Sequence, residues 1–493
     1  MVRREAFGGV LRDFRVIFLT SGWLLAGMSL LALMHAIGSS LVRDSEAGAF
    51  YATAIIGFVP AAVALAAGWG AKAELRFRQA VVITVLAWFG LPVFCALPFM
   101  LGTWQLSFVD AVFESVSGLT TTGSTVVSGL DDSPPSLLLW RSVLQWIGGV
   151  GIIGLSIALL PFLKVGGMQL FKMESSDRSE EKIIARPNRL AITIGSLYLG
   201  LTLACFAGYR LTGMTGFEAI NHALTTVSTG GYSTSDSSMG HFSIGSQWVS
   251  IFFMVTGALP FLAYVRLTRN NMKAQGSGGF GQISLFFIIV GLAAVMMTAL
   301  RLIEDQGFWT ALREALFNVI SVITTTGYAT ADYQLWGPFA MAVFFFLTFV
   351  GGCAGSTSGG FKIFRFEVLA KALWQNLNRT AQPHSLSPAR ISGQALSASD
   401  VASVALFSAV YVATFAIGAL VLAATGLDLM TSLSGSATAL ANVGPGLGAI
   451  IGPAGNFSGL PDSTKLVLGG IMVLGRLEIF TVLVLFVPRF HTA

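Results

Sequence analysis

Apolar runs alternate with short polar breaks along almost the whole chain. Ten runs reach the ~20 residues that a helix needs to cross a bilayer core. They cover 14–37, 47–69, 80–101, 137–163, 190–211, 248–267, 285–302, 338–369, 401–422 and 466–487. The first two stand alone, and the other eight form four pairs. The link inside each pair carries a further apolar stretch, such as "SFVDAVFESVSGL" at 107–119. About 12 residues of helix cover only ~18 Å, too short to span, and the stretch is too apolar for a solvated loop. A short helix that dips into the membrane and returns as extended chain fits both facts. Irregular backbone survives at that depth only where it lines a watery cavity or is buried in protein. The pattern predicts an all-α polytopic membrane protein with ten transmembrane helices and four re-entrant loops, and four such loops suggest a pore. Its divisions are a two-span extension (1–79) and repeats at 80–178, 179–275, 276–390 and 391–493.

Composition agrees with the pattern. Charged residues are 11% of the chain and hydrophobic ones 54%, against roughly 25% charged in a soluble protein. The first run is long, lacks a small-residue cleavage site and is followed by more spans, so it reads as a span and not as a signal peptide. Cys95, Cys205 and Cys353 are scattered through apolar runs, which excludes a disulfide framework or zinc site. Basic residues mark one side. Arg3, Arg4, Arg12 and Arg15 precede the first span, and Lys72, Arg76 and Arg78 follow the second. Lys164, Lys172, Arg178, Lys182, Arg186 and Arg189 follow the fourth, and Arg266, Arg269 and Lys273 the sixth. Lys371, Arg379 and Arg390 follow the eighth, and Arg489 the tenth. With ten spans all lie on one face, which the positive-inside rule makes cytoplasmic, along with both termini.

The four short stretches end in related turns on the opposite, outer side. These are "LTTTGSTV" (119–126), "VSTGGYST" (227–234), "ITTTGYAT" (323–330) and "LANVGPGL" (440–447). Their glycines, read as Gly123, Gly230, Gly327 and Gly444, recur roughly every 100 residues, the mark of internal duplication. A dehydrated alkali cation needs oxygens to replace its hydration shell, and backbone carbonyls around an axis supply them. Aiming successive carbonyls inward calls for unusual dihedrals that glycine tolerates. An acid opens each short helix: Asp110, Glu218, Glu314 and Asp428. These acids suit the positive helix ends and would draw cations to the outer mouth.

With these turns, "LLLWRSVLQWIGGVGIIGLSIALLPF" (137–162), "FVGGCAGSTSGGFKIFR" (349–365) and "VLGRLEIFTVLVL" (473–485) make the resemblance specific. The chain resembles the bacterial Trk-type potassium-uptake subunits, the TrkH family of the Trk/Ktr/HKT superfamily, over its whole length. The resemblance implies four span–pore helix–span units set pseudo-four-fold around one permeation path. It implies potassium as the transported ion and a place in the bacterial cytoplasmic (inner) membrane. It implies a homodimer bound to a cytoplasmic nucleotide-binding ring of TrkA type, with no nucleotide site in this chain and no nucleic-acid partner. Filter oxygens would come from Thr122 and Gly123, Thr229 and Gly230, Thr326 and Gly327, and Val443 and Gly444.

Two features lie below that filter. The run Gly351, Gly352, Cys353, Ala354, Gly355, Ser356, Thr357, Ser358, Gly359, Gly360 interrupts an apolar span, each glycine weakening helix by about 1 kcal/mol relative to Ala. It is no phosphate loop, since Phe361 stands where that motif needs lysine; it reads as an unwound intramembrane gate. Arg476 sits near the middle of the last span, where a charge costs about 2.5–3.5 kcal/mol and marks function. Glu478 is two residues on and faces another way on a helix, so the alternative, a structural ion pair, would need a partner on some other helix. Arg141 reads as structural, snorkelling near the outer boundary or bracing a short helix, and Gly148–Gly154 as close packing or a kink. An enzyme is excluded because the five histidines form no cluster. The alternative is an ion-coupled secondary transporter, which would need matched broken helices; only one outer-to-inner span reads as broken.

Overall fold

The computed structural model describes residues 2–71, 76–159, 187–268, 280–382, 390–391, 394–488 and 490. Lys72, Lys164, Lys172, Arg178, Lys182, Arg186, Arg269, Lys273 and Arg489, used above for orientation, lie outside the described residues, as does the end of the fourth run. The chain folds as helices joined by tight loops, with one small antiparallel pair, Arg390–Ile391 on Gln394–Ala395.

Helices α1 (Val2–Leu41) and α2 (Ala47–Ala67) pack on each other as a hairpin. The first repeat holds α3 (Phe77–Cys95), α4 (Leu97–Leu101), the short α5 (Phe108–Leu119) and α6 (Pro135–Leu159). The second holds α7 (Pro187–Leu211), the short α8 (Gly216–Val227), α9 (Ile244–Ala258) and α10 (Phe261–Thr268). The third holds α11 (Phe280–Ile303), the short α12 (Phe308–Ile323), α13 (Pro338–Thr348) and α14 (Ile363–Ala381). The fourth holds α15 (Ala398–Ala424), the short α16 (Leu429–Ala441), α17 (Asp462–Arg476) and α18 (Phe480–Leu483).

Among the described residues, seven helices are long and apolar enough to cross a membrane, or eight if α17 and the helical turns after it count as one bent span. That is fewer than the ten runs read from the sequence, and three of the four runs that close a pair are interrupted, not one. The second breaks at Leu259–Pro260, where proline lacks an N–H and forces extended backbone on the residue before it. The third opens between Thr348 and Ile363, across the glycine run. The fourth turns by 99° between α17 and the next helix, with Glu478 and Ile479 both at positive φ (55° and 50°). Only α6 runs through. Its Gly148 and Gly149 do serve close packing, since a Cβ there would strike the Leu119 carbonyl and the Tyr198 hydroxyl.

The four short helices run from exposed to buried. Phe108, Trp309 and Leu429 near their starts are open, whereas Val116–Leu119, Ala223–Val227, Val319–Ile323 and Ser436–Ala441 are buried on every side. Each packs against the two long helices of its own repeat. Each also meets a closing helix from a neighbour: α8 meets α6, α12 meets α9, α16 meets α13, and α5 meets α17. The last contact joins the fourth repeat to the first. The outward faces of the long helices carry Trp23, Ile55, Leu203, Val295 and Leu420, an apolar jacket far beyond the patches of a soluble surface.

Candidate functional site

After each short helix the backbone performs the same manoeuvre. One residue enters the left-handed region, and a glycine two positions later enters it again. The pairs are Thr121 and Gly123 (φ 53° and 87°), Thr229 and Gly231 (51° and 80°), Thr325 and Gly327 (57° and 82°), and Asn442 and Gly444 (55° and 110°). The residue between them donates its N–H back into the helix. Thr122 bonds Ser117 O, Gly230 bonds Thr225 O, Thr326 bonds Ser321 O and Val443 bonds Thr438 O, at 2.8–3.0 Å. These matches correct the register read in the second loop. There the structural counterpart of Gly123, Gly327 and Gly444 is Gly231, and Gly230 takes the place of Thr122. Thr229 lies one step earlier, where the other loops have Thr121, Thr325 and Asn442.

The four turns meet one another in order. A Cβ on Gly123 would run into Gly230 O, one on Gly231 into Thr326 O, and one on Gly327 into Val443 O. A Cβ on Gly444 would lie 2.7 Å from Thr122 O. The contacts therefore return from the fourth loop to the first, and bring four carbonyls against four side-chain-free positions. Ser124 Oγ adds a bond to Gly444 O (2.9 Å), and Asn442 Nδ2 one to Thr122 Oγ1 (3.0 Å). The hydroxyls of Thr122 and Thr326 pair with those of Thr120 and Thr324 (2.7 and 2.8 Å). Val443 brings no hydroxyl to its loop.

Behind the first two loops lies a buried polar brace. Glu114, on α5, accepts from Arg141 Nε at 2.7 Å, from Thr125 Oγ1 at 3.0 Å and from Val126 N at 3.0 Å. Arg141 also donates to Ser233 O (3.3 Å) and lies over the Tyr232 ring at 4.0 Å. With Arg141 at 1% exposure and Glu114 at 0%, the arginine braces its short helix and does not snorkel. Breaking one partner of a buried pair strands the other charge. Arg141→Met and Glu114→Gln should each cost about 3–5 kcal/mol, whereas the double variant should cost less than either; denaturation of the detergent-solubilised protein reads this.

The glycine run lies against the buried ends of three short helices. Thr357 Oγ1 donates to Val227 O at 3.2 Å, and Thr229 Oγ1 reaches Thr357 Oγ1 at 3.2 Å. Gly359 N donates to Thr325 Oγ1 at 2.7 Å, and a Cβ on Gly359 would strike Ala441 O. The run is also tied to the break in the second closing span, by Cys353 N to Ala258 O and Phe261 N to Gly355 O. Gly351, Gly352, Ser356, Thr357, Ser358 and Gly359 are buried, while Gly355 and Gly360 are half-buried. Arg476 reaches this segment. Its Nη1 donates to Thr357 O (2.9 Å) and its Nη2 to Gly148 O (3.3 Å), linking the third, fourth and first repeats. Glu478 pairs instead with Arg365 (2.6 Å), whose guanidinium lies 3.7 Å from the Phe407 ring centroid. Lys362 Nζ bonds Ser358 O.

The mouth acids divide in two. Asp110 is ion-paired with Lys465 at 2.5 Å, and Glu314 with Arg301 at 3.2 Å. Glu218 closes a capping box with Thr215, and Asp428 caps α16 by accepting from Thr431 N at 3.1 Å. Neither has an ion-pair partner among the described residues. Glu314 does not open its helix: α12 begins at Phe308, which puts the acid in the second turn, facing Arg301 at the end of α11.

A TrkH family profile, described as a cation transport protein, matches residues 47–491. This chain belongs to the TrkH family. It is 44% identical to the Trk system potassium uptake protein TrkI of Halomonas elongata over 454 residues, 91% of this chain and 92% of that one. It is 36% identical to the Trk system potassium uptake protein TrkH of Vibrio parahaemolyticus over 491 residues, 97% of this chain and 99% of that one. The crystal structure of the Vibrio parahaemolyticus potassium transporter TrkH superposes with a TM-score of 0.88 at 35% identity, covering 97% of this chain and 99% of that one. A member of this family is a helical multi-pass membrane protein and a transporter, not an enzyme.

The sequence reading missed Glu114, Gln145, Lys362, Arg365 and Glu478 as parts of the site. One signal was present: Arg141, Gln145 and Gly148 fall at helical spacing on a span, so they share a face. Polar groups on one face of a membrane helix face protein.

Proposed function

We propose that this chain takes up potassium across the bacterial cytoplasmic membrane through a selectivity filter built from the four turns. The observation that carries the reading is their closure. Four carbonyls and four left-handed glycines meet in sequence and return to the start, as an axial cation site requires. The architecture is ten spans and four re-entrant loops, pseudo-four-fold about one path, the interrupted closing helices each counting as one span. Family membership and the potassium-uptake relatives support the ion. The ring oxygens belong to Thr122, Gly230, Thr326 and Val443, flanked by Gly123, Gly231, Gly327 and Gly444. Beneath them Gly351–Gly360 and Arg476 form the gate, supported by the hydrogen bond from Arg476 to Thr357 O and by the one that Thr357 Oγ1 donates to Val227 O at the end of α8. Glu218 and Asp428, without an ion-pair partner among the described residues, supply charge for the mouth. Both termini face the cytoplasm. The chain works as a homodimer with a cytoplasmic nucleotide-binding ring of TrkA type, through which nucleotide control enters; the resemblance of the four loops and the three long motifs supports this.

Three interrupted closing spans favour a second reading, an ion-coupled symporter, because broken helices build such sites. Against it, the buried Glu114 is already held by Arg141, and the half-buried Glu478 beside the gate by Arg365. Potassium flux into proteoliposomes, with and without imposed sodium or proton gradients, separates the two. A filter-and-gate protein should equilibrate potassium regardless of those gradients, and accumulation against the potassium gradient would establish coupling.

A further inference from the structure

We propose that Gln145 is a positioning residue for ion selectivity, its carboxamide clipping the second loop at the ring carbonyl. This rests on the filter reading above. Gln145 lies on α6, one turn beyond Arg141, and is fully buried. A primary amide buried in a membrane span must find partners for its polar groups. Both groups find partners on one loop. Nε2 donates to Gly230 O at 2.6 Å, and Oε1 accepts from Tyr232 N at 3.1 Å.

The two bonded residues flank Gly231, the left-handed glycine that closes against Thr326 O. Gly230 O is in turn the oxygen against which Gly123 closes the first loop. One side chain thus sets the peptide units that join the second loop to both neighbours.

The need for it is local. At the ring-oxygen position the first and third loops carry threonine and the fourth carries valine, but the second carries glycine, followed by another glycine. Two successive glycines have the greatest backbone freedom. The carboxamide occupies the space a side chain would fill, because a Cβ added to Gly230 would collide with it. Gln145 replaces from the adjacent helix the stiffness that the sequence removed from the loop. The other loops have no such clip. Among the described residues no protein donor reaches Thr122 O, Thr326 O or Val443 O. In the fourth loop Pro445 follows the ring glycine and has no N–H to hold.

The consequence concerns discrimination. A carbonyl oxygen has two lone pairs, so the bond from Gln145 leaves one for a cation while fixing where that oxygen sits. A filter excludes a smaller cation insofar as its oxygens resist being drawn inward. Without the clip, Gly230 and Gly231 can rotate toward sodium.

The test uses the full chain in proteoliposomes, recording potassium, rubidium and sodium permeability ratios separately from total flux. Gln145→Leu removes both bonds and should lower the potassium-to-sodium ratio by about fivefold, the effect of losing the one at the ring carbonyl. The double variant Gln145→Ala with Gly230→Ala, which returns a Cβ to the vacated space, should recover part of the ratio lost in Gln145→Ala alone. A structural role would instead reduce flux for all three ions alike and leave the ratios unchanged. That result in Gln145→Leu, or no recovery in the double variant, overturns the proposal. Gly327→Ser, which acts on the closure of the third loop against Val443 O and not on Gly230, serves as control. If it changes the ratio while the Gln145 variants do not, only the clip fails; if it too leaves the ratio unchanged, the filter reading falls.

Discussion

Gly327→Ser is expected to reduce the potassium-to-sodium permeability ratio by about tenfold or more, and to lower potassium flux with it. A side chain at φ 82° carries a left-handed penalty of about 1–2 kcal/mol, itself near a factor of ten. The new Cβ must also displace the Val443 carbonyl, one of the four oxygens proposed to hold the ion. Gly123→Ser should behave alike against Gly230 O, as should Gly231→Ser against Thr326 O. Gly230→Ser gives the sharpest check of register. Its backbone is not left-handed and its new atoms meet the Gln145 carboxamide but no backbone, so it should cost about the fivefold of losing that clip and less than Gly231→Ser. Equal loss at both positions, or a greater loss at Gly230, would return the second loop to the register read from the sequence alone. Unchanged ratios in all the glycine variants would remove the filter.

Arg476→Ala should raise potassium flux while leaving the selectivity ratio intact. The side chain performs two tasks in the proposed gate. It holds the unwound segment through Thr357 O and ties it to Gly148 O on the opposite side. It also places a positive charge by the path, worth about 4 kcal/mol against a cation at 4 Å with an effective dielectric of 20. Arg476→Lys should raise flux less, because the charge stays while the two-armed grip is lost. Shortening Gly351–Gly360 by several residues should also raise flux. Combining that deletion with Arg476→Ala should give less than the product of the two gains, since both act on one barrier. Full multiplicativity would place Arg476 outside the gate. A deletion that inserts correctly and conducts no more than the parent would make the segment mere packing.

The sequence alone determined the membrane class, seven of the ten long helices it predicted, the four short helices and the residues of three of the four turns. Apolar length and the 3.6-residue period are local properties, and a glycine behind a threonine run marks a turn wherever it falls. The second turn escaped because "TGG" offers two adjacent glycines, and only the point where α8 ends chooses between them. Glu314 was misplaced because α12 begins a turn earlier than its sister helices α5 and α8 relative to the ring glycine. Pro260 was a visible breaker that the apolar run concealed. The turn at Glu478 and Ile479 was not visible, since neither residue type favours positive φ; Arg365, 113 positions away, holds Glu478 there. Closure of the ring was beyond any local pattern as well. It rests on contacts such as Ser124 to Gly444 and Asn442 to Thr122, each 320 residues apart. Which carbonyl meets which glycine is set by how four repeats pack, and Gln145 and Arg476 acquire partners only when helices from different repeats are brought side by side.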